Sequence, residues 1–353
     1  MTIQCRGCGA MIQNEDKILP GYTPKVGSDY CQRCYRIKHY DDVTITYRDD
    51  LKPEEILSKV QEMEALVIWV VDVFDFESNI IDGVNRHFNG KDILLVLTKT
   101  DLLPSTLAQD KLLKFVYSRL KEKQIEVLDI VVTGNKGKWG MNALISGIEK
   151  YNKTGEMVVV GVANAGKSTI LNALTRNEND LTMSRYPGTT LGFTKMKWRD
   201  YIIYDTPGLH LNNSLIFMMS DERLKYVIPQ KQISPKIFQL HTSTSFALSG
   251  LARIDIVNPK KGSSAVIYAS DRLNVHRGKV ENADALWLSH YGELLDVTVG
   301  EYGSFKKYRF AKKEDAIDIC IFGLGWLCFK GEYEYIDVWC NESINMTFRK
   351  AMI

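Results

Sequence analysis

The sequence predicts an α/β protein in which a parallel sheet covered on both faces stands between a small cysteine module and a β-rich C-terminal region. Three observations carry this. Apolar runs at 65–73, 93–97, 127–132 and 157–162 alternate with amphipathic helical patterns at 107–123 and 141–151, and strands apolar on both faces imply a parallel sheet packed by helices on either side. Four cysteines fall within the first 34 residues as two C-x2-C pairs, in a stretch too short for a hydrophobic core of its own. Beyond Asn213 the alternation gives way to short β-branched runs at 264–269, 294–299 and 317–327. Three domains are expected, 1–48, 49–212 and 213–353.

Cys5, Cys8, Cys31 and Cys34 form two knuckles joined by a 22-residue loop, the spacing of a four-cysteine structural zinc site in a zinc-ribbon-like module. Four thiolates close the coordination shell, so zinc there serves folding and not catalysis; a redox pair is the alternative. Arg33, Arg36, Lys38 and His39 with Tyr35 and Tyr40 offer either an RNA-facing edge or a solvated face. Cys320, Cys328 and Cys340 lack knuckle spacing and are expected as reduced core residues. The 45% apolar and 25% charged composition is that of a folded globular chain. The formal charge of +2 identifies no nucleic-acid partner. No run reaches the roughly 18 apolar residues of a membrane span and no signal-peptide order is present, so a cytoplasmic protein is expected.

The central region carries the chemistry. Gly161-Val162-Ala163-Asn164-Ala165-Gly166-Lys167-Ser168 fits G-x-x-x-x-G-K-S between a strand and a helical run. Its backbone N–H groups, with those of Ala165, Gly166 and Thr169, are expected to cradle phosphates at a helix N-terminus. Lys167, read as an exposed loop charge, would neutralise the β- and γ-phosphates, and Ser168 would ligate magnesium. The run 93–97 leads into Thr98-Lys99-Thr100-Asp101, close to the N-K-x-D element that reads guanine. The Asp101 carboxylate would accept from N1 and the exocyclic amine of the base, and the Lys99 stem would lie over the ring. Thr98 in place of Asn loses an amide that braces neighbouring loops, with an expected cost in nucleotide affinity. Thr133-Gly134 follows the next strand and offers a backbone contact to the guanine carbonyl, or only a strand-ending turn.

Pro187-Gly188-Thr189-Thr190 and Asp205-Thr206-Pro207-Gly208 look like the two switches. Thr190 would sense the γ-phosphate through magnesium, Asp205 would hold a magnesium water, and the Gly208 N–H would meet the γ-phosphate. The guanine motif precedes the phosphate loop by about 60 residues, the reverse of the ordinary order, so a circularly permuted P-loop GTPase domain is expected, binding GTP and GDP.

With Cys5-Arg6-Gly7-Cys8-Gly9, Pro20-Gly21-Tyr22, Cys31-Gln32-Arg33-Cys34, Lys38-His39-Tyr40 and the permuted motifs, the chain resembles the YqeH family of bacterial circularly permuted GTPases over essentially its whole length. The resemblance implies a role in assembly of the small ribosomal subunit, with its precursor RNA or ribosomal proteins as partners. It also implies a zinc-binding N-terminal module and a C-terminal domain for nucleic-acid or partner binding. A regulatory GTPase that contacts proteins only is the competing function.

Leu209 stands where Ras-like enzymes place the Gln that orients the attacking water, so turnover is expected to be slow. Asn164 resembles the loop residue of potassium-activated GTPases, in which a monovalent cation lies between the β- and γ-phosphates; alternatively it only stabilises the turn. His210 is read as an incidental neighbour. Lys306, Lys307, Arg309, Lys312 and Lys313, with Lys260, Lys261 and 272–279, form basic clusters that either meet phosphates or balance the adjacent Glu314, Asp315 and Asp318.

Overall fold

The computed structural model describes residues 5, 11–15, 21–25, 27–32, 52–81, 83–134, 139–175, 183–184, 193–311 and 316–353. Helix α1 (Pro53–Glu62) leads into β1 (Leu66–Asp72), followed by the short helices α2 (Phe76–Asn79) and α3 (Val84–His87), β2 (Ile93–Thr98), α4 (Gln109–Glu122), β3 (Asp129–Val132), α5 (Trp139–Tyr151), β4 (Glu156–Gly161), α6 (Lys167–Thr175), β5 (Met183–Ser184), β6 (Thr194–Trp198) and β7 (Tyr201–Asp205). These strands form one seven-stranded sheet in the order β3-β2-β1-β4-β7-β6-β5. It is parallel from β3 to β7, and β6 and β5 run antiparallel at its edge. Every residue of β1 and β2 is buried, which is why these strands read as unbroken apolar runs. Helix α4 starts two residues later than the amphipathic pattern, and β3 starts at Asp129, not at 127, the Leu128 N–H donating to the Ile93 carbonyl at 2.8 Å as the chain enters the sheet.

Beyond Asn213 two short helices, α7 (Leu215–Met218) and α8 (Asp221–Val227), come before any strand. Strands β8 (Lys236–Leu240), β9 (Thr244–Leu248), β10 (Ala252–Val257), β11 (Ser263–Ala269) and β12 (Val275–Lys279), helix α9 (Ala283–His290), and β13 (Phe305–Phe310), β14 (Ala316–Ile321), β15 (Gly325–Lys330), β16 (Tyr335–Asn341) and β17 (Met346–Lys350) follow. They build two antiparallel five-stranded sheets, β12-β9-β10-β16-β13 and β17-β14-β15-β11-β8, with a shared apolar core.

Two of the expected β runs differ. The 317–327 run is two strands, because Gly323 (φ +81°) and Gly325 (φ +125°) turn the chain back on itself. The 294–299 run is not a strand. Leu295, Val297 and Val299 point inward and are buried, but the backbone finds only isolated bridges, one of them the Gly250 N–H on the Val297 carbonyl at 2.9 Å.

The strands β14 and β15 of the second sheet are buried on both faces. Ile317, Ile319, Leu327 and Phe329 face the sandwich core, while Cys320, Trp326, Cys328 and Tyr268 join the core of the seven-stranded sheet. This explains why 317–327 shows no polar alternation and why Cys320 and Cys328 are buried free thiols, as is Cys340 inside the sandwich. Charges cross the same contact. Arg349 meets Asp318 and, at 3.2 Å, Glu77 of α2, which is held bidentately by Arg119 of α4 at 2.9 and 2.8 Å. Among the described residues no helix is long and apolar enough to cross a membrane.

In the N-terminal stretch, Cys5 and Cys31 lie together and buried, the Cys31 N–H donating to the Cys5 sulfur at 3.1 Å. Gln13 and Tyr22 pair by a single bridge nearby. Cys8, Cys34 and residues 33–40 lie outside the described residues, as do Thr190 with the rest of 187–190, Lys312 and Lys313. Among the described residues no group of three or more metal-capable side chains occurs.

Candidate functional site

Asp72, Thr98, Gly161 and Asp205 end β1, β2, β4 and β7, so the candidate residues gather at the carboxyl edge of the parallel strands, where open α/β sheets bind ligands. Between β4 and α6 the loop reverses through Asn164 (φ +68°) and Gly166 (φ +99°). Two left-handed residues in so short a turn bring successive N–H groups to one side, and Asn is among the few side-chain-bearing residues that adopt this region readily. Asn164 therefore has a backbone reason to be Asn. Ser168 and Thr169 are exposed at the start of α6, but Lys167 is only 9% exposed. It is a helix-start residue walled by the loop, not the exposed loop charge expected.

The 205–208 segment lies along that loop. The Leu209 N–H donates to the Gly161 carbonyl at 3.1 Å and the Ala163 N–H to the Leu209 carbonyl at 2.9 Å. A Cβ on Gly208 would stand 2.9 Å from the Ala163 Cα, so only glycine permits this approach. Leu209 is fully buried; the residue at the water-orienting position is both apolar and turned into the core. His210 packs on Phe217.

The base-reading candidates converge with the phosphate loop from the other side. The Thr98 hydroxyl donates to the Ala165 carbonyl at 2.6 Å. The loop brace expected to be lost with Asn is present, supplied by a shorter side chain. The Thr100 hydroxyl donates to the Thr133 carbonyl at 2.8 Å, and the Thr133 N–H to the Leu97 carbonyl at 2.8 Å. A Cβ on Gly134 would press the Thr100 hydroxyl at 2.9 Å and the Asp101 carboxylate at 3.3 Å, so 98–101 and 133–134 form one surface. Lys99 is left-handed (φ +58°), and its ammonium donates to Asp72 at 2.7 Å.

Behind Lys99 lies a carboxylate that no sequence motif marks. Asp75 accepts the Gly323 N–H at 3.1 Å and the Ser78 hydroxyl. Burial pushes its carboxyl up to about 7, against the pull of the Ser78 hydrogen bond. The signals for Asp72 and Asp75 were a charge closing an apolar run and a second three residues on, legible only once β1 is known to end at the site.

The fold and the site define a P-loop GTPase, an enzyme that binds and hydrolyses GTP. Residues 156–244 match the family described as "50S ribosome-binding GTPase", and residues 262–352 match "YqeH-like, C-terminal". YqeH of Bacillus subtilis is 34% identical, with 99% of each chain covered. The Arabidopsis thaliana protein named NO-associated protein 1, chloroplastic/mitochondrial, is 27% identical over 92% of this chain and 69% of its own. The small ribosomal subunit biogenesis GTPase RsgA of Bacillus velezensis is 26% identical over 65% of this chain and 74% of its own. The chain belongs to the YqeH family.

Proposed function

We propose that this GTPase acts in assembly of the small ribosomal subunit, through a circularly permuted nucleotide domain at 49–212 set between a zinc module at 1–48 and a partner-binding domain at 213–353. The observation that carries the nucleotide reading is the convergence of 98–101, 133–134, 161–169 and 205–208 on one sheet edge, with the base-reading strand earlier in the chain than the phosphate loop. In this reading Asp101 reads the guanine edge, Thr133 and Gly134 offer the backbone contact, and Lys167 meets the β- and γ-phosphates. Ser168, Asp205 and Thr190 hold magnesium, which when bound neutralises phosphate charge. Water attacks the γ-phosphorus and the bond to the β–γ bridging oxygen breaks, releasing GDP and phosphate. The zinc assignment is supported by the buried Cys5–Cys31 pair, since a backbone N–H aimed at sulfur suits a thiolate ligand.

The family names differ on the subunit, one carrying 50S and a relative the small subunit, so sedimentation with both separates the possibilities. We expect the GTP-analogue form to travel with the small subunit, the GDP form to leave it, and association to fall steeply between 50 and 200 mM salt. Association with the large subunit alone would refute the proposal. Binding indifferent to salt and nuclease would favour the protein-only regulatory GTPase.

With Leu209 buried, the chain lacks a water-orienting side chain at that position, and a potassium ion beside Asn164 is the proposed source of extra positive charge at the bridging oxygen. GTP turnover is expected to rise several-fold when potassium replaces sodium at constant ionic strength. The variant that tests this is Asn164→Gly, because Ala at φ +68° would add backbone strain of its own. It should abolish the difference between the salts; equal rates in both salts with the wild-type protein would exclude the cation.

A further inference from the structure

Asp72 is a buried carboxylate at the base-reading end for which the motifs supply no role. It closes β1 directly opposite Thr98, the last residue of β2, so its side chain stands where the chain turns into Lys99. It is held before it meets that lysine. One carboxylate oxygen accepts the Phe74 N–H at 2.9 Å, and the Asp72 N–H donates to the Asn79 side-chain oxygen at 3.1 Å. The Asn79 amide in turn donates to the Asp75 carbonyl at 2.9 Å. The second carboxylate oxygen accepts from the Lys99 ammonium at 2.7 Å, with the two side chains 8% and 19% exposed. Lys99 also holds a left-handed backbone, a conformation that lysine adopts at a cost and that an ion pair helps to keep.

We propose that Asp72 is the positioning residue of the guanine site: by anchoring the Lys99 ammonium it stretches the four-carbon stem into a fixed apolar shelf for the purine ring, a role that rests on assigning 98–101 as the base reader. A lysine side chain has many rotamers to lose, and a group ordered beforehand spares the ligand that cost on binding. In this role Asp72 acts through Lys99 and not on the reacting phosphates, so its contribution falls on nucleotide affinity and not on the chemical step. The pair also lies beside Asn164 of the phosphate loop and Gly323 of the turn between β14 and β15, all lining one small pocket.

The test is a double-mutant cycle on the full chain with Asp72→Asn, Lys99→Met and the two combined, reading KM and kcat for GTP and the Kd of GDP. Asp72→Asn is near-isosteric and is expected to raise KM and Kd about tenfold with kcat unchanged. Lys99→Met keeps an apolar stem without the ammonium, so Asp72→Asn should cost nothing further in that background. Where the Asn variant impairs folding, Asp72→Glu replaces it, keeping the charge but displacing it by one methylene, and it too raises KM. An additive cycle, or wild-type KM in the Asn or Glu variant, overturns the role of Asp72. Asp101→Asn is the control for the reading beneath it. It should exchange guanine for xanthine preference, because an amide donates where the carboxylate accepted. If guanine preference persists in that variant the base reader is misplaced, whereas a switched preference with an additive cycle sinks only the positioning role.

Discussion

Replacing Arg349 by Met is expected to destabilise the protein by about 3–5 kcal/mol, the cost of stranding buried carboxylates once their cation is gone. Arg349 is 2% exposed, Asp318 0% and Glu77 5%. Burial alone would push the Glu77 carboxyl up, but hydrogen bonds from Arg119 and the charges of Arg349 and Arg119 outweigh it and hold the group below the usual carboxylate value. Asp318 fares worse: burial pushes it up, and Arg349 with the Met352 N–H opposes this only in part. Glu77 would keep Arg119, so the loss falls mainly on Asp318. The arginine also packs on Phe115 and Trp326, and Met would replace some of that contact. Because one apolar core runs through the contact between the parallel sheet and the second β-sheet, the wild-type protein should unfold in a single denaturant transition by circular dichroism and by tryptophan fluorescence. The variant should lose the C-terminal contact first and separate the two signals. Adding Asp318→Asn should recover part of the loss, since the uncompensated charge goes with it. A change below about 1 kcal/mol would mean that water reaches these groups and that the network contributes little.

How much of this was legible in the sequence follows from how local each feature is. The phosphate loop is eight consecutive residues, and its strand–loop–helix context is written on either side, so its position was readable without coordinates. The place of the proposed base reader ahead of the phosphate loop was equally readable, since β2 is an unbroken apolar strand ending in Thr98. The Thr98 brace was not, because a hydroxyl reaching Ala165 depends on two chain segments meeting. The charge network was less so: Glu77, Arg119, Asp318 and Arg349 come from four elements, and Asp318 reads on its own as an acid balancing nearby lysines. Asp72 was merely the charge that ends an apolar run. The 294–299 segment failed for the opposite reason, since its period-two burial is real but β pairing needs a neighbouring strand with matching backbone groups. Thr190, Cys8 and Cys34 lie outside the described residues, so the proposed first switch and half of the proposed zinc ligands stand on sequence alone.

Lys167→Ala is expected to weaken GTP binding by roughly a hundredfold to ten-thousandfold, the largest effect of any single change at the site. Charge-assisted hydrogen bonds are worth about 1.5–3 kcal/mol each, and a lysine between the β- and γ-phosphates makes two. GDP should lose less, because only the β-phosphate contact goes. The burial of Lys167 changes the design of the experiment. Its stem stands close to Gly161, whose Cβ position is 3.4 Å from the Lys167 Cγ, so Ala would remove packing as well as charge. Lys167→Met keeps most of the stem and isolates the charge. Titration with a fluorescent GTP analogue and with GDP, on variants whose thermal transitions match the wild-type protein, measures both contributions. The Met variant should show most of the affinity loss and little of any instability. Wild-type GTP affinity in Lys167→Met would refute the phosphate-loop assignment outright, and an equal loss for GTP and GDP would place the ammonium on the β-phosphate alone.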